Sequence, residues 1–227
     1  MATSLHQQLK ALYAGDEGEQ EVKLGRYRID AVRDDLLIEV QHGGLSAIRD
    51  KVRSLRRRHD VLIVKPIVAR RRLIKLDREG GAEVSRRWSP KRGAATDLFD
   101  ELVHFTRAFP HKRVAIESPL VEVEELRYPG HGKRRRWREN DFVVEDQRLV
   151  RVVKTVELRS RDDLWSLVAG DLPQPFDTAE LADAMGAPRW IAQRAAYCLR
   201  EMGAAKVVGK RGNARLYRRV GRARRAA

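Results

Sequence analysis

Cysteine is all but missing from this chain: Cys198 stands alone among 227 residues. That excludes a disulfide framework and any cysteine-based zinc finger, and it suits a reducing compartment. No apolar run approaches the roughly 18 residues that a membrane span needs, and the opening MATSLHQQLKALYAG has no signal-peptide apolar stretch. A cytoplasmic protein with no membrane partner is the expectation. Three motifs are also missing: the G-x-x-x-x-G-K-[ST] phosphate loop, the G-x-S-x-G elbow and the H-E-x-x-H zinc motif. Their absence argues against an NTP-driven motor, a serine hydrolase of the elbow type and a zincin. No internal repeat is visible.

Acidic residues are the scarcer charge. Against 47 Lys+Arg stand 32 Asp+Glu, a formal net charge of +15 and a pI near 10.5. Such a surplus points to a polyanionic partner, most commonly nucleic acid. The surplus is uneven: −3 over residues 1–40, +11 over 41–95, 0 over 96–165 and +7 over 166–227. An acidic segment set beside the most basic one is arranged to hold a cation against a polyanion. Hydrophobic residues, 42% of the chain, suffice for a core, and the length fits one large domain or two small ones.

After a short amphipathic helix near residues 3–13, Tyr27-Arg28-Ile29-Asp30-Ala31-Val32 alternates and Leu36-Leu37-Ile38-Glu39-Val40-Gln41 is β-branched and apolar, so both read as strands. Arg33-Asp34-Asp35 is the turn between them. A two-residue loop at Asp34-Asp35 sets Asp30 opposite Glu39; a three-residue loop makes them diagonal neighbours. Like charges facing each other on a sheet are destabilising unless a cation or proton compensates. Gln41 shares the face of Glu39 by the period of two. A hard divalent metal such as Mg²⁺ suits the pair, because it is commonly held by one or two carboxylates plus water and a phosphate oxygen.

Asp30, followed after eight residues by Glu39-Val40-Gln41, resembles the motif of the PD-(D/E)XK nuclease superfamily. The resemblance implies an Asp and a Glu on adjacent strands binding Mg²⁺ or Mn²⁺, and a lysine that orients or activates water. Gln41 stands where that lysine is expected, and glutamine supplies no positive charge and transfers no proton. Lys51 on the next helix and Lys65 on the next strand are the candidates to replace it. Glu21 is the candidate for the further upstream acidic residue that many members carry. The elements in order fit the superfamily's αβββαβ core: Leu45, Ile48, Val52 and Leu55 give a helix over 45–58, and Val61-Leu62-Ile63-Val64 a buried strand that ends at Lys65-Pro66. Arg56-Arg57-Arg58 and Arg70-Arg71-Arg72, taken together beside the carboxylates, favour phosphate contacts.

Residues 73–165 are less informative. Ser89-Pro90-Lys91-Arg92-Gly93 reads as a turn into a helix capped by Thr96, a place where Lys91 and Arg92 can meet phosphate. Residues 114–123 read as one or two strands interrupted by Pro119, and 142–153 as a strand pair. Lys133-Arg134-Arg135-Arg136-Trp137-Arg138 is a basic loop with one aromatic, suited to touching a backbone and stacking a base or simply to being solvated. Leu172-Pro173-Gln174-Pro175 reads as a linker into a last module.

That module opens with a capping box, Asp177-Thr178-Ala179-Glu180, stapled by Phe176 and Leu181. A first helix ends at Met185-Gly186 and a second runs to about Met202, with Ala192, Ala195, Leu199 and Met202 inward and Trp190, Arg194 and Tyr197 outward. Two short strands then flank Gly209-Lys210-Arg211-Gly212-Asn213. Over residues 162–220 this resembles a winged helix-turn-helix. The resemblance implies that Arg189, Trp190, Gln193, Arg194 and Tyr197 meet the major groove, and that Lys210 and Arg211 on the wing touch phosphate or minor groove; the other reading is protein–protein packing. Cys198 reads as a small buried hydrophobe.

The expectation is therefore an α/β protein with a PD-(D/E)XK-like domain over 1–160, a winged helix over 162–220 and a basic tail over 221–227. The function that follows is a Mg²⁺- or Mn²⁺-dependent DNA endonuclease acting on double-stranded DNA. Duplex cleavage by one active site per chain favours a homodimer. The alternatives are a non-catalytic DNA-binding or regulatory protein and a nuclease acting on RNA.

Overall fold

The computed structural model of the chain describes residues 3–130 and 141–221. The basic loop at 133–138 and tail residues 222–227 lie outside the described residues. The protein is mixed α/β. Helix α1 (Ser4–Ala14) leads into strands β1 (Glu19–Leu24), β2 (Tyr27–Arg33) and β3 (Leu36–Val40); a 3₁₀ turn (Leu45–Ile48) and α2 (Arg49–Leu55) then cross over to β4 (Asp60–Val64). The first three strands pair antiparallel in sequence, and β4 lies parallel to β3. Arg33 pairs with Leu36, so the loop is the two-residue Asp34-Asp35, with Asp34 at φ +53°, a left-handed conformation that aspartate tolerates.

The rest of the sheet is built on two long strands. β5 (Ile67–Leu76) and β6 (Glu83–Trp88) form a hairpin; α3 (Leu98–Leu102) precedes β7 (Val114–Pro129), which pairs along its length with β8 (Phe142–Leu158). β4 and β5 both run parallel to β7 along one edge in a single register: Val61 beside Val114, Val64 beside Glu117, Ile67 beside Leu120 and Val68 beside Val121. Continued across the gap, that register brings Pro66 beside Pro119. Two residues without an N–H thus meet at the gap between β4 and β5. Lys65 bridges the break, its N–H donating to the Glu117 carbonyl at 2.8 Å while its own carbonyl accepts from Ser118 Oγ at 2.8 Å.

Three expectations for the middle of the chain are corrected here. Residues 114–123 lie in one uninterrupted strand that passes through Pro119, and 142–153 belong to a single strand paired with β7 rather than with itself. Thr96 is not a helix cap: Asp97 Oδ2 accepts the Ala94 N–H at 2.9 Å in a 3₁₀ turn ahead of a five-residue α3.

Side chains alternate between two cores. On one face α1 places Leu5, Leu9 and Ala14 on Ala31, Ile38, Val40, Leu62, Val64, Val121 and Val123. On the other, α2 and α3 cover Ile29, Leu37, Val61, Ile63 and Ile116. The C-terminal elements join this second core. They are a 3₁₀ turn (Asp162–Leu167), α4 (Thr178–Met185), α5 (Arg189–Glu201) and the antiparallel hairpin β9 (Ala205–Arg211) and β10 (Ala214–Arg219). An isolated bridge from Phe176 to Tyr217 adds a short third strand to the hairpin. Among the described residues, no helix is long and apolar enough to cross a membrane.

The helix start at Asp177 forms as its sequence dictates. Asp177 Oδ1 accepts the N–H groups of Ala179 (2.7 Å) and Glu180 (3.1 Å), Glu180 Oε2 accepts the Asp177 N–H (2.8 Å), and Phe176 and Leu181 are fully buried around the box. The Glu180 N–H, followed by that of Ala179 and by Arg211, holds the Asp177 carboxyl below the usual aspartate range. Asp177→Ala should therefore cost about 1 kcal/mol, read as a lower urea midpoint at pH 7. Because the folded-state value is depressed, the wild-type advantage is present above the ordinary aspartate range and fades as the pH falls below it, bringing the two midpoints together in acid.

Candidate active site

The hairpin register runs Val32 to Leu37 and Ala31 to Ile38; one step further brings Asp30 beside Glu39. On the other side, β1 pairs Gln20 with Ala31 and Val22 with Ile29, so Glu21 falls beside Asp30. Glu21, Asp30 and Glu39 thus occupy one row across three strands. Glu21 does not join the other two. Glu21, at φ +57°, turns its carboxylate to the buried Lys10 on α1 and to Arg28, whose Nε is 2.5 Å away. Asp30 Oδ2 accepts the Val40 N–H at 2.8 Å, and Oδ1 lies 3.5 Å from His6 Nε2.

Glu39 is the buried member, 3% exposed. Lys51, carried on α2 over the same face, sets Nζ 2.5 Å from Glu39 Oε1 and 2.5 Å from the Arg28 carbonyl. Burial pushes the Glu39 carboxyl up to about 7, against the pull of Lys51, and Asp30 raises it further. The Lys51 ammonium is the charge partner of Glu39 Oε1, and a carboxylate oxygen with one such partner has a second lone pair to offer. A buried carboxylate oxygen with an open lone pair beside a second carboxylate fits a hard divalent cation completed by water and a phosphate oxygen. Asp30 and Glu39 would hold it. Glu21 does not join them, and among the described residues no cluster of three or more His, Cys, Asp or Glu side chains surrounds a common metal position.

The two lysine candidates separate. Lys65 is 5% exposed, donates to the carbonyls of His42 (3.1 Å) and Gly43 (2.7 Å) and pairs with Glu101 at 3.2 Å. Glu101 in turn accepts the Leu45 N–H at 2.9 Å. Lys65 therefore ties the 42–45 turn to α3 and does not reach the carboxylate pair, which corrects its place among the catalytic candidates. Gln41 donates its amide to the Gly44 carbonyl at 3.0 Å and supports the same turn. His42 is held below the usual imidazole range by desolvation first and then by Lys65 and His6. His6 and Glu101 were not legible as neighbours of this row. His6 sits one position from the buried Leu5, and nothing in the local pattern says that it faces Asp30.

The arginine triplet on β5 is another correction. Arg70, Arg71 and Arg72 are paired within the sheet to Glu122 (3.6 Å), Glu125 (3.1 Å) and Glu124 (3.5 Å), and Arg70 and Arg72 stack on the Trp88 ring at 4.2 and 4.7 Å. Their guanidiniums lie against the carboxylates of β7. Of the earlier triplet, Arg56 donates to the Ala108 carbonyl at 2.6 Å, while Arg57 and Arg58 are exposed. Lys91 and Arg92 are exposed in the loop after β6.

On α5, Ala192, Ala195, Leu199 and Met202 are buried as the spacing requires, and Ile191, Ala196 and Cys198 are buried too. The helix packs on α3 as well as α4, with Cys198 Sγ 3.7 Å from the Phe99 carbonyl. Trp190 (50%) and Tyr197 (39%) are exposed, flanked by the exposed Arg189 and Gln193. Arg194, expected to face outward, forms an ion pair with Asp100 on α3 and lies 5.0 Å over Trp190. In the β9–β10 hairpin Lys210 is exposed, but Arg211 reaches back to Glu180 (3.0 Å) and Asp177 (3.6 Å). Burial pushes the Cys198 thiol up to about 12. Native protein should consequently show no reaction with a thiol-specific disulfide reagent at pH 8, and one equivalent after denaturation.

Residues 3–159 match a family described as a domain of unknown function, DUF8091. The chain belongs to that family. The matched span closes with β8, ahead of the C-terminal helices. An uncharacterised protein of Treponema pallidum (strain Nichols) is similar to the chain at 30% identity over 219 residues, covering 96% of this chain and 85% of its own. That relative spans the DUF8091 region and the C-terminal helices together. No solved structure matches the chain.

Proposed function

We propose that this DUF8091 protein is a divalent-metal-dependent DNA endonuclease of the PD-(D/E)XK type, with its α4–α5–hairpin unit acting as a winged helix that holds double-stranded DNA. The observation that carries this reading is the buried Glu39 carboxylate, in row with Asp30 and with Lys51 Nζ beside it. The strand and helix order from α1 to β4, antiparallel then parallel across a helical crossover, supports it.

In this reading Asp30 and Glu39 bind the cation. When bound, Mg²⁺ or Mn²⁺ supplies charge at the phosphate and lowers the pKa of water. Lys51, arriving from α2, replaces the charge that Gln41 lacks and is placed to orient water or to face the phosphate. Val40 fixes Asp30 through its N–H. Gln41, Lys65 and Glu101 shape the 42–45 turn beside the row. The exposed Arg189, Trp190, Gln193 and Tyr197 supply the groove contact, and the surplus positive charge supplies sequence-independent attraction.

The test is nicking of supercoiled plasmid. Wild type should convert it to open-circular or linear forms in Mn²⁺ or Mg²⁺ and not in EDTA; failure in both metals would overturn the hydrolytic reading. A second reading, a DNA-binding protein without hydrolysis, is favoured by one observation: Gln41 uses its amide on Gly44 and offers no charge to the row. It predicts salt-sensitive duplex binding with no product.

A further inference from the structure

Two of the arginines assigned to the DNA-facing surface already hold anions, and those anions belong to this chain. Arg194 on α5 meets the Asp100 carboxylate of α3. Arg211 at the wing tip meets Glu180 at 3.0 Å and Asp177 at 3.6 Å, both at the start of α4. Neither contact is sealed: the Arg194 and Asp100 side chains are 42% and 43% exposed, and Arg211 is 57% exposed. An incoming phosphate can reach each guanidinium without unfolding anything.

We infer that Asp100 and the Asp177–Glu180 pair act as internal stand-ins for phosphate, so that duplex DNA binds this surface by displacing them, and Asp100 sets how tightly it does so. The inference rests on the DNA-binding half of the proposed function. Its physical basis is competition. Exposed ion pairs are worth little in water, whereas each phosphate neutralised on a duplex releases condensed counterions and adds about 0.9 to the salt slope. The exchange favours DNA at low salt and the internal carboxylate at high salt. Asp100 also places a negative charge beside the groove-facing stripe of Trp190, Gln193 and Tyr197, where it repels a backbone that approaches off register.

The experiment is fluorescence anisotropy on a labelled 30-base-pair duplex, in EDTA, at four salt concentrations. It compares the full-length wild type with Asp100→Asn and with Asp183→Asn, which removes the same charge from an exposed position on α4. Asp100→Asn should bind three- to tenfold tighter than wild type, with a salt slope steeper by about one, and Arg194→Ala added to it should cancel the gain. Asp183→Asn should stay within twofold of wild type. Asp100→Ala, judged by an unchanged thermal midpoint, serves if the asparagine variant folds poorly. Equal affinities for the Asp100 and Asp183 variants would overturn the competition while leaving DNA binding intact. No salt-sensitive binding by any of the proteins would overturn the DNA-binding reading and the inference together.

Discussion

Millimolar Mn²⁺ or Mg²⁺ should raise the thermal midpoint of the wild-type protein, and Asp30→Asn or Glu39→Gln should remove that rise. The expectation follows from what the metal-free site lacks. Glu39 is buried, its carboxyl is pushed up to about 7, and Asp30 opposes its ionisation. A cation bound between the two carboxylates would remove their repulsion. A ligand at a hundredfold its dissociation constant stabilises by about 2.7 kcal/mol, and about 1 kcal/mol moves a protein of this size by about 2–4 °C. The wild-type shift should therefore be roughly 5–10 °C, read by scanning calorimetry. Without metal, Glu39→Gln should be no less stable than wild type near neutral pH, because it removes a carboxylate whose charged form burial disfavours. An equal rise in both variants would place the cation elsewhere.

Lys51→Met and Lys65→Met should fail in different ways. Lys51 touches Glu39 and one backbone carbonyl. Its loss should lower plasmid cleavage by about 10²-fold or more, the scale set by removing one charge-stabilising group from an active site. The midpoint should change little, because the Glu39 left behind can take a proton near neutrality. Lys65 touches no member of the pair; it satisfies two carbonyls and Glu101 in the interior. Breaking that cluster should cost roughly 2–4 kcal/mol, seen as a large drop in thermal midpoint. Residual activity per folded molecule should stay within about tenfold of wild type. The reverse split, with Lys65→Met folded but inactive and Lys51→Met active, would exchange their roles.

The parts of the fold that were legible from sequence are those in which local chemistry decides. The turn at Arg33-Asp34-Asp35 and the period of two put Asp30 within reach of Glu39 from sequence alone, while the pairing of Arg33 with Leu36 decides between a two- and a three-residue loop. Asp177 and Glu180 announced a helix start through groups that cap each other. β7 and β8 were legible as strands but not as one long pair, because they carry Glu122, Glu124 and Arg151, charges that pair across strands rather than mark loops. The register of β8 also slips at three places, which erases its alternation. The same blindness applies to Arg70, Arg71 and Arg72: a triplet reads as free positive charge until the strand carrying Glu122, Glu124 and Glu125 is known to lie beside it. Lys51 and Lys65 could not be separated because their roles depend on which face of β3 and β4 each one overlies.

The most direct measurement follows one labelled duplex for binding and for cleavage in the same sample, by anisotropy and by denaturing gel, with wild type and Glu39→Gln in excess over the duplex and Mn²⁺ added to start the reaction. The predicted result is that both proteins bind within twofold of each other and only wild type yields cut strands. Wild type that binds and leaves the strands whole in Mn²⁺ and in Mg²⁺, or Glu39→Gln that cuts as fast as wild type, would contradict the assignment of Asp30, Glu39 and Lys51 as a hydrolytic centre.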